Sequence, residues 1–232
     1  MTHMVRQPKA ILHLSIFLAA FFVLWTLRAT WLWHAIDESI ASPIWRALFS
    51  NLIKLIVWVL PAAGFACWLK GAPPEKYLGL SIVPSRRGWW LCLRVTVIFL
   101  LVVTLVELTV GRKSFSAAGL SSLPYVLGLL QLVLSPLLEE LLFRGLVMNE
   151  LLTLLPTYLA SALTSLLFVG AHLPYWLSHG GPTPAVMANA SGVFFFSLLA
   201  CWLYAQTGSI WPSTFAHIAN NILTSLLIMS HA

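Results

Sequence analysis

Val95-Thr96-Val97-Ile98-Phe99-Leu100-Leu101-Val102-Val103-Thr104-Leu105-Val106 decides the class of this chain. It is the middle of an apolar run over residues 89–110, and apolar and polar residues do not alternate along it. About 20 apolar residues in a row cross a bilayer core of roughly 30 Å as a helix. Strands of a transmembrane barrel alternate at period two instead. Composition extends the reading to the whole chain. Of 232 residues, 59% are hydrophobic and 9% charged, with a mean hydropathy of +0.89. Soluble domains run roughly 45–50% apolar and about 25% charged. The sequence is that of a multi-span membrane protein.

Outward from that run, other apolar stretches predict further helices. The first covers 10–27 and ends at Arg28. Arg6 and Lys9 before it resemble the start of a signal peptide, but the run is too long and no small-x-small site follows, so a retained span is expected. A polar connection with Asp37 and Glu38 leads to a second span over 45–69, which contains Lys54 and Pro61. The stretch 70–88 reads as a loop, with Pro73, Pro74 and Pro84. Another connection, 111–122, carries Arg112 and Lys113.

Residues 123–155 are too many for one upright span at 1.5 Å per residue. Ser135-Pro136 reads as an N-cap followed by proline at the first helical position, so a kink or a restart of the helix is expected there. The last spans are expected at 157–173, 186–206 and 209–229, separated by 174–184 and 206–208. The expected fold class is all-α, a polytopic bundle of about seven transmembrane helices (six to eight) around a polar intramembrane cavity. It is divided into N-terminal helices with basic loops (1–122) and a catalytic helical core (123–232), within one integral membrane domain.

A net charge of +6 in a soluble protein would suggest a nucleic-acid partner. Here every Lys and Arg except Arg144 lies at or before Lys113, mostly at the ends of apolar runs. That pattern is membrane topology, and no nucleic-acid partner is expected. Arg6, Lys9, Lys70, Lys76, Arg86 and Arg87 fall on one side, against Arg28, Arg46, Arg112 and Lys113 on the other. The positive-inside rule then makes the N-terminus cytoplasmic. Cys67, Cys92 and Cys201 lack any CxxC spacing and read as small apolar residues.

Ionisable groups inside spans are costly and point to function by default. Arg94 and Glu107 lie near span ends and can reach the interface. Lys54 is expected to do the same or to form a structural pair. His3, His13, His34, His179 and His231 are terminal or near loops and carry no assignment. Leu137-Leu138-Glu139-Glu140-Leu141-Leu142-Phe143-Arg144-Gly145 is different, with two adjacent carboxylates in an apolar helix. Glu140 and Arg144 are four apart and share a face, which suits an ion pair. Glu139 points about 100° away, without that partner. A charge triad that only locks helix packing fits this segment equally well.

Phe168 and His172 are four apart in another apolar helix, just before Pro174. His217 and Asn221 are four apart in the last, with Asn220 adjacent. Each polar group needs a buried partner, and a shared cluster supplies all of them. Glu with His can take a proton from water for attack on a carbonyl carbon, and a second His with an Asn can donate to the developing oxyanion. Ser135, Ser165 and Ser213 lack the context of a serine nucleophile. Zinc held by Glu139, His172 and His217 is the chemical rival, but no HExxH or same-helix His pair supports it.

Glu139-Glu140…Arg144, Phe168…His172 and His217…Asn221 resemble, in order, the EExxxR, FxxxH and HxxxN motifs of the CAAX protease and bacteriocin-processing family (CPBP, or ABI). Phe143-Arg144-Gly145 and Thr207-Gly208-Ser209-Ile210-Trp211-Pro212 resemble the family's flanking sequences. The likeness covers about 123–225. It implies a glutamic-type intramembrane endopeptidase with no metal and no cofactor. Glu139 with His172 would activate water, and His217 with Asn221 would form the oxyanion site. Glu140 and Arg144 would support them, Glu140 sharing the base role, and Phe168 would line the cavity. The partners implied are the lipid bilayer and a membrane-associated peptide or protein substrate. The chain looks most like a prokaryotic member, located in the cell inner membrane. The alternatives are an immunity or peptide-binding membrane protein that uses the same pocket without proteolysis, and a proton-relay transporter, for which no inverted repeat is found.

Overall fold

The computed structural model describes residues 3–110, 113–116 and 125–229. Arg112, Ser122 and His231 lie outside the described residues. The fold is an all-α polytopic bundle. Among the described residues, six helices are long and apolar enough to cross a membrane, and we number all helices in chain order. They are α1 (Lys9–Asp37), α2 (Pro43–Leu69), α4 (Arg86–Thr109), α5 (Tyr125–Leu154), α6 (Thr157–Gly180) and α7 (Pro184–Thr207). A short α3 (Pro74–Tyr77) lies in the loop after α2, and α8 (Ile210–Leu226) follows α7. One antiparallel ladder joins β1 (Lys113–Phe115) to β2 (Leu227–Met229), pairing Ser114 with Ile228.

α5 is the central helix. Half of its most apolar stretch is buried within the protein, against 11% for α1 and for α4. Every residue from Leu138 to Met148 is buried, the signature of a helix surrounded on all sides. Ile98, Leu101 and Leu105 of α4 are more than half exposed, as lipid-facing residues must be.

Four expected boundaries are corrected. Arg28 does not end the first helix. It is buried and bonded to Asp37 at 2.6 Å, so each charge is compensated and the helix runs on in wide, π-type turns. Ser135 does not cap a new helix either. Its backbone is helical (φ −57°, ψ −50°), and π-type turns at Leu129–Leu134 absorb the N–H that Pro136 lacks. α6 also continues through Pro174 to Gly180. Trp25 of α1 donates its Nε1–H to the Ala171 carbonyl at 2.8 Å, in the turn that Pro174 loosens. At the far end, the last helix stops at Leu226 and continues as β2.

Local chemistry fixes the other ends. Thr183 caps α7, accepting from the Val186 N–H at 3.3 Å, with Pro184 at the first helical position. Gly208 ends α7 in the left-handed region (φ 65°), which glycine adopts at little cost. Ser209 then caps α8 by accepting from the Trp211 N–H at 3.3 Å. The loop over 78–82 is pinned beneath these ends. Ser209 Oγ donates to the Ile82 carbonyl at 2.6 Å and Trp211 Nε1 to the Leu80 carbonyl at 2.8 Å.

Candidate active site

α5 carries Glu139, Glu140 and Arg144 into the middle of the bundle. Glu140 and Arg144 are fully buried and paired, Nη1 to Oε1 at 3.0 Å. The same guanidinium reaches α7, where its Nη2 donates to Ser197 Oγ at 2.8 Å and to the Ser197 carbonyl at 3.2 Å. One face of it lies 4.7 Å from the centre of the Phe168 ring. Arg144 therefore ties α5, α6 and α7 together, which its planar, multi-donor head permits and a lysine's would not.

His217 of α8 completes this cluster. Its Nδ1 is 2.8 Å from Glu140 Oε1, and its Nε2 is 3.8 Å from Glu139 Oε2. A carboxylate only accepts, so Nδ1 carries the hydrogen. Phe168, 1% exposed, is the spacer ring, with edge contacts to His172 (4.8 Å) and Phe143 (4.9 Å). His172 Nδ1 donates to the Phe168 carbonyl at 2.8 Å. A carbonyl cannot donate, so in the neutral ring the lone pair sits on Nε2.

Glu139 is not left alone, as helical phase implied. Lys54 of α2 donates to its Oε1, and Ser135 Oγ donates to that oxygen at 3.3 Å. Lys54 thus forms the buried pair rather than reaching for the interface. Two cavities meet at this carboxylate. One, of about 300 Å³, is lined by Glu139, Phe168, His172, His217, Asn220 and Asn221, with Phe196 and Asn189 of α7. The other, of about 240 Å³, is lined by Trp25, Arg28, Trp33, Lys54, Glu139, His172 and Trp176. Glu139, His172 and Trp176 belong to both walls.

The structure therefore brings Glu139, Phe168, His172, His217 and Asn221 to one cavity, and sets Glu140 and Arg144 behind it. Among the described residues, no three His, Cys, Asp or Glu side chains are grouped so as to hold a metal ion. The acidic pair is met instead by the cations of Lys54 and Arg144.

With that geometry in view, residues 121–223 match the family model described as Rce1-like, type II CAAX prenyl endopeptidase Rce1-like. The second half of the chain thus resembles that family. The match takes in α5, α6, α7 and most of α8, and with them every motif residue; α1, α2 and α4 precede it. It supports a protease, a membrane-embedded peptide hydrolase. No curated protein and no solved structure matches the chain.

Two site residues escaped the motif reading. Lys54 had one signal, a lone ammonium inside an apolar helix, but no spacing that names its partner 85 positions away. Ser197 had none, being a small residue in an apolar helix.

Proposed function

We propose that the chain is an intramembrane endopeptidase of glutamic type, which hydrolyses a peptide bond of a membrane-associated peptide or protein with water and without a metal. The observation that carries this reading is the single cavity lined by Glu139, His172, His217 and Asn221, on three separate helices. Glu139 Oε1 is occupied by Lys54 and Ser135, so Oε2 is the oxygen free to act as base. His172 offers the lone pair of Nε2 on the same wall.

Water between these two gives up a proton as its oxygen adds to the carbonyl carbon. The carbonyl oxygen becomes an oxyanion, and Asn221 donates to it through its carboxamide. His217 donates through Nε2, which requires the doubly protonated ring at this step, while its Nδ1–H stays on Glu140 at 2.8 Å. The proton then passes to the amide nitrogen and the C–N bond breaks, leaving an acid and an amine. Glu140 and Arg144 hold His217 in register throughout. Such preorganised donors in a water-poor site are worth roughly 10²–10³ in rate each.

The description of the matching family, a CAAX prenyl endopeptidase, supports a membrane-anchored peptide tail as the substrate class. A membrane-anchored tail of this kind reaches the cavity from the bilayer. We assign the chain to a prokaryotic inner membrane; the basic residues of its N-terminus and 70–88 loop support a cytoplasmic side for both by the positive-inside rule.

The test is comparative proteomics of membranes from cells carrying the wild-type chain or Glu139→Ala. The expected result is a membrane-associated protein that accumulates in an uncut form only with Glu139→Ala. Identical peptide termini in the two membranes would overturn the reading. Loss of cutting together with retained protection of the cell would favour the peptide-binding alternative for the phenotype.

A further inference from the structure

We infer that Lys54 is a positioning residue for this reaction, fixing one oxygen of Glu139 so that the other faces water and peptide. The inference rests on the endopeptidase reading and deepens it. Lys54 belongs to α2, outside the matched family region, so no motif assigns it. Its side chain is 12% exposed, and its ammonium donates to Glu139 Oε1 and to Ser135 Oγ. The ring of Trp58 lies 5.2 Å from the same nitrogen, on α2 itself. An ammonium so enclosed needs compensation, and here both bonds and the ring supply it.

The arrangement orients as well as neutralises. A carboxylate turns freely about its last bond unless one oxygen is held. Lys54 and Ser135 together hold Oε1, which leaves Oε2 on the His217 side, 3.8 Å from Nε2. A neutral or displaced group at position 54 lets the carboxylate turn, so that the proton acceptor no longer meets the water. A purely structural lysine predicts lost stability instead, with the surviving folded protein cutting at the normal rate.

Lys54 lines the second cavity, so small reagents reach it from there. The test uses purified protein and, as substrate, the precursor that accumulates in Glu139→Ala membranes. Lys54→Cys is made with Cys67→Ser, because Cys67 is the exposed cysteine whereas Cys92 and Cys201 are buried. The expected result is a kcat lowered roughly 10²-fold, the scale of a small misplacement of a reacting group, with KM unchanged. Alkylation with 2-bromoethylamine rebuilds an ammonium at nearly the original length and restores kcat. Alkylation with iodoacetamide adds a neutral amide of similar size and does not. Melting temperatures are recorded alongside. If Lys54→Cys does not fold, Lys54→Arg keeps the charge but moves it, and the same loss in kcat is expected.

Wild-type kcat in Lys54→Cys or, where that variant does not fold, in Lys54→Arg, or equal rescue by both adducts, would overturn the inference. Glu139→Gln run in parallel separates the two layers. If it too cuts at the wild-type rate, the endopeptidase reading falls. If it is inactive while the Lys54 variant is fully active, only the role of Lys54 falls.

Discussion

His217 and Glu140 meet Nδ1 to Oε1 at 2.8 Å, across 77 positions of chain, on the same oxygen that Arg144 holds at 3.0 Å. One buried carboxylate oxygen thus joins the helix that bears the acids to the helix that bears the second imidazole. Removing Arg144 strands the charge of Glu140 in a fully buried place. Arg144→Met is expected to destabilise the fold by about 3–5 kcal/mol, the scale for breaking a buried ion pair from one side. Denaturant unfolding in detergent measures it. Stability unchanged in Arg144→Met would show that Arg144, with its bonds to Glu140 and to Ser197 of α7, is not what holds this cluster together.

Gly145 follows Arg144 and faces the loop after α3. A Cβ at this position would stand 2.7 Å from the Leu78 carbonyl oxygen, closer than any such contact tolerates. Gly145→Ala is therefore expected to cost about 1–3 kcal/mol, as overpacking does, and to loosen residues 78–82 from the ends of α7 and α8. Faster proteolysis within 78–82, together with a lower melting temperature, checks this. An unchanged digestion pattern would contradict it.

The helices were legible because an apolar run of span length has one common outcome in a bilayer. Their ends were less so. Arg28 and Pro174 are stop signals in water-exposed helices, but a buried Asp37 compensates the first, and the second sits in a turn braced by the Trp25 indole on the Ala171 carbonyl. Neither partner is visible from local spacing. The motif residues could be read because four-residue intervals put them on shared helix faces. What joins one helix to another could not, as the Lys54–Glu139 pair shows: helical phase fixes where a side chain points but says nothing of what comes to meet it.

Asn220 and Asn221 both line the larger cavity, one helical step apart. The proposed oxyanion site assigns the donor to Asn221, four residues beyond His217. Asn221→Ala is expected to lower kcat roughly 10²–10³-fold with KM little changed, the range for loss of one preorganised donor. Asn220→Ala is expected to stay within a few-fold of wild type. Steady-state kinetics on the identified precursor check both, and the reverse order would move the assignment to Asn220.

The central claim is that Glu139 takes the proton from water. Glu139→Gln keeps the shape of the side chain and an oxygen for Lys54 while removing the base. Single-turnover cleavage by this purified variant, with its melting temperature, tests the claim most directly. The account predicts a cleavage rate reduced by roughly 10²–10⁴, the usual contribution of a positioned base, in a protein that remains folded. A folded Glu139→Gln that cleaves within a few-fold of wild type would contradict it.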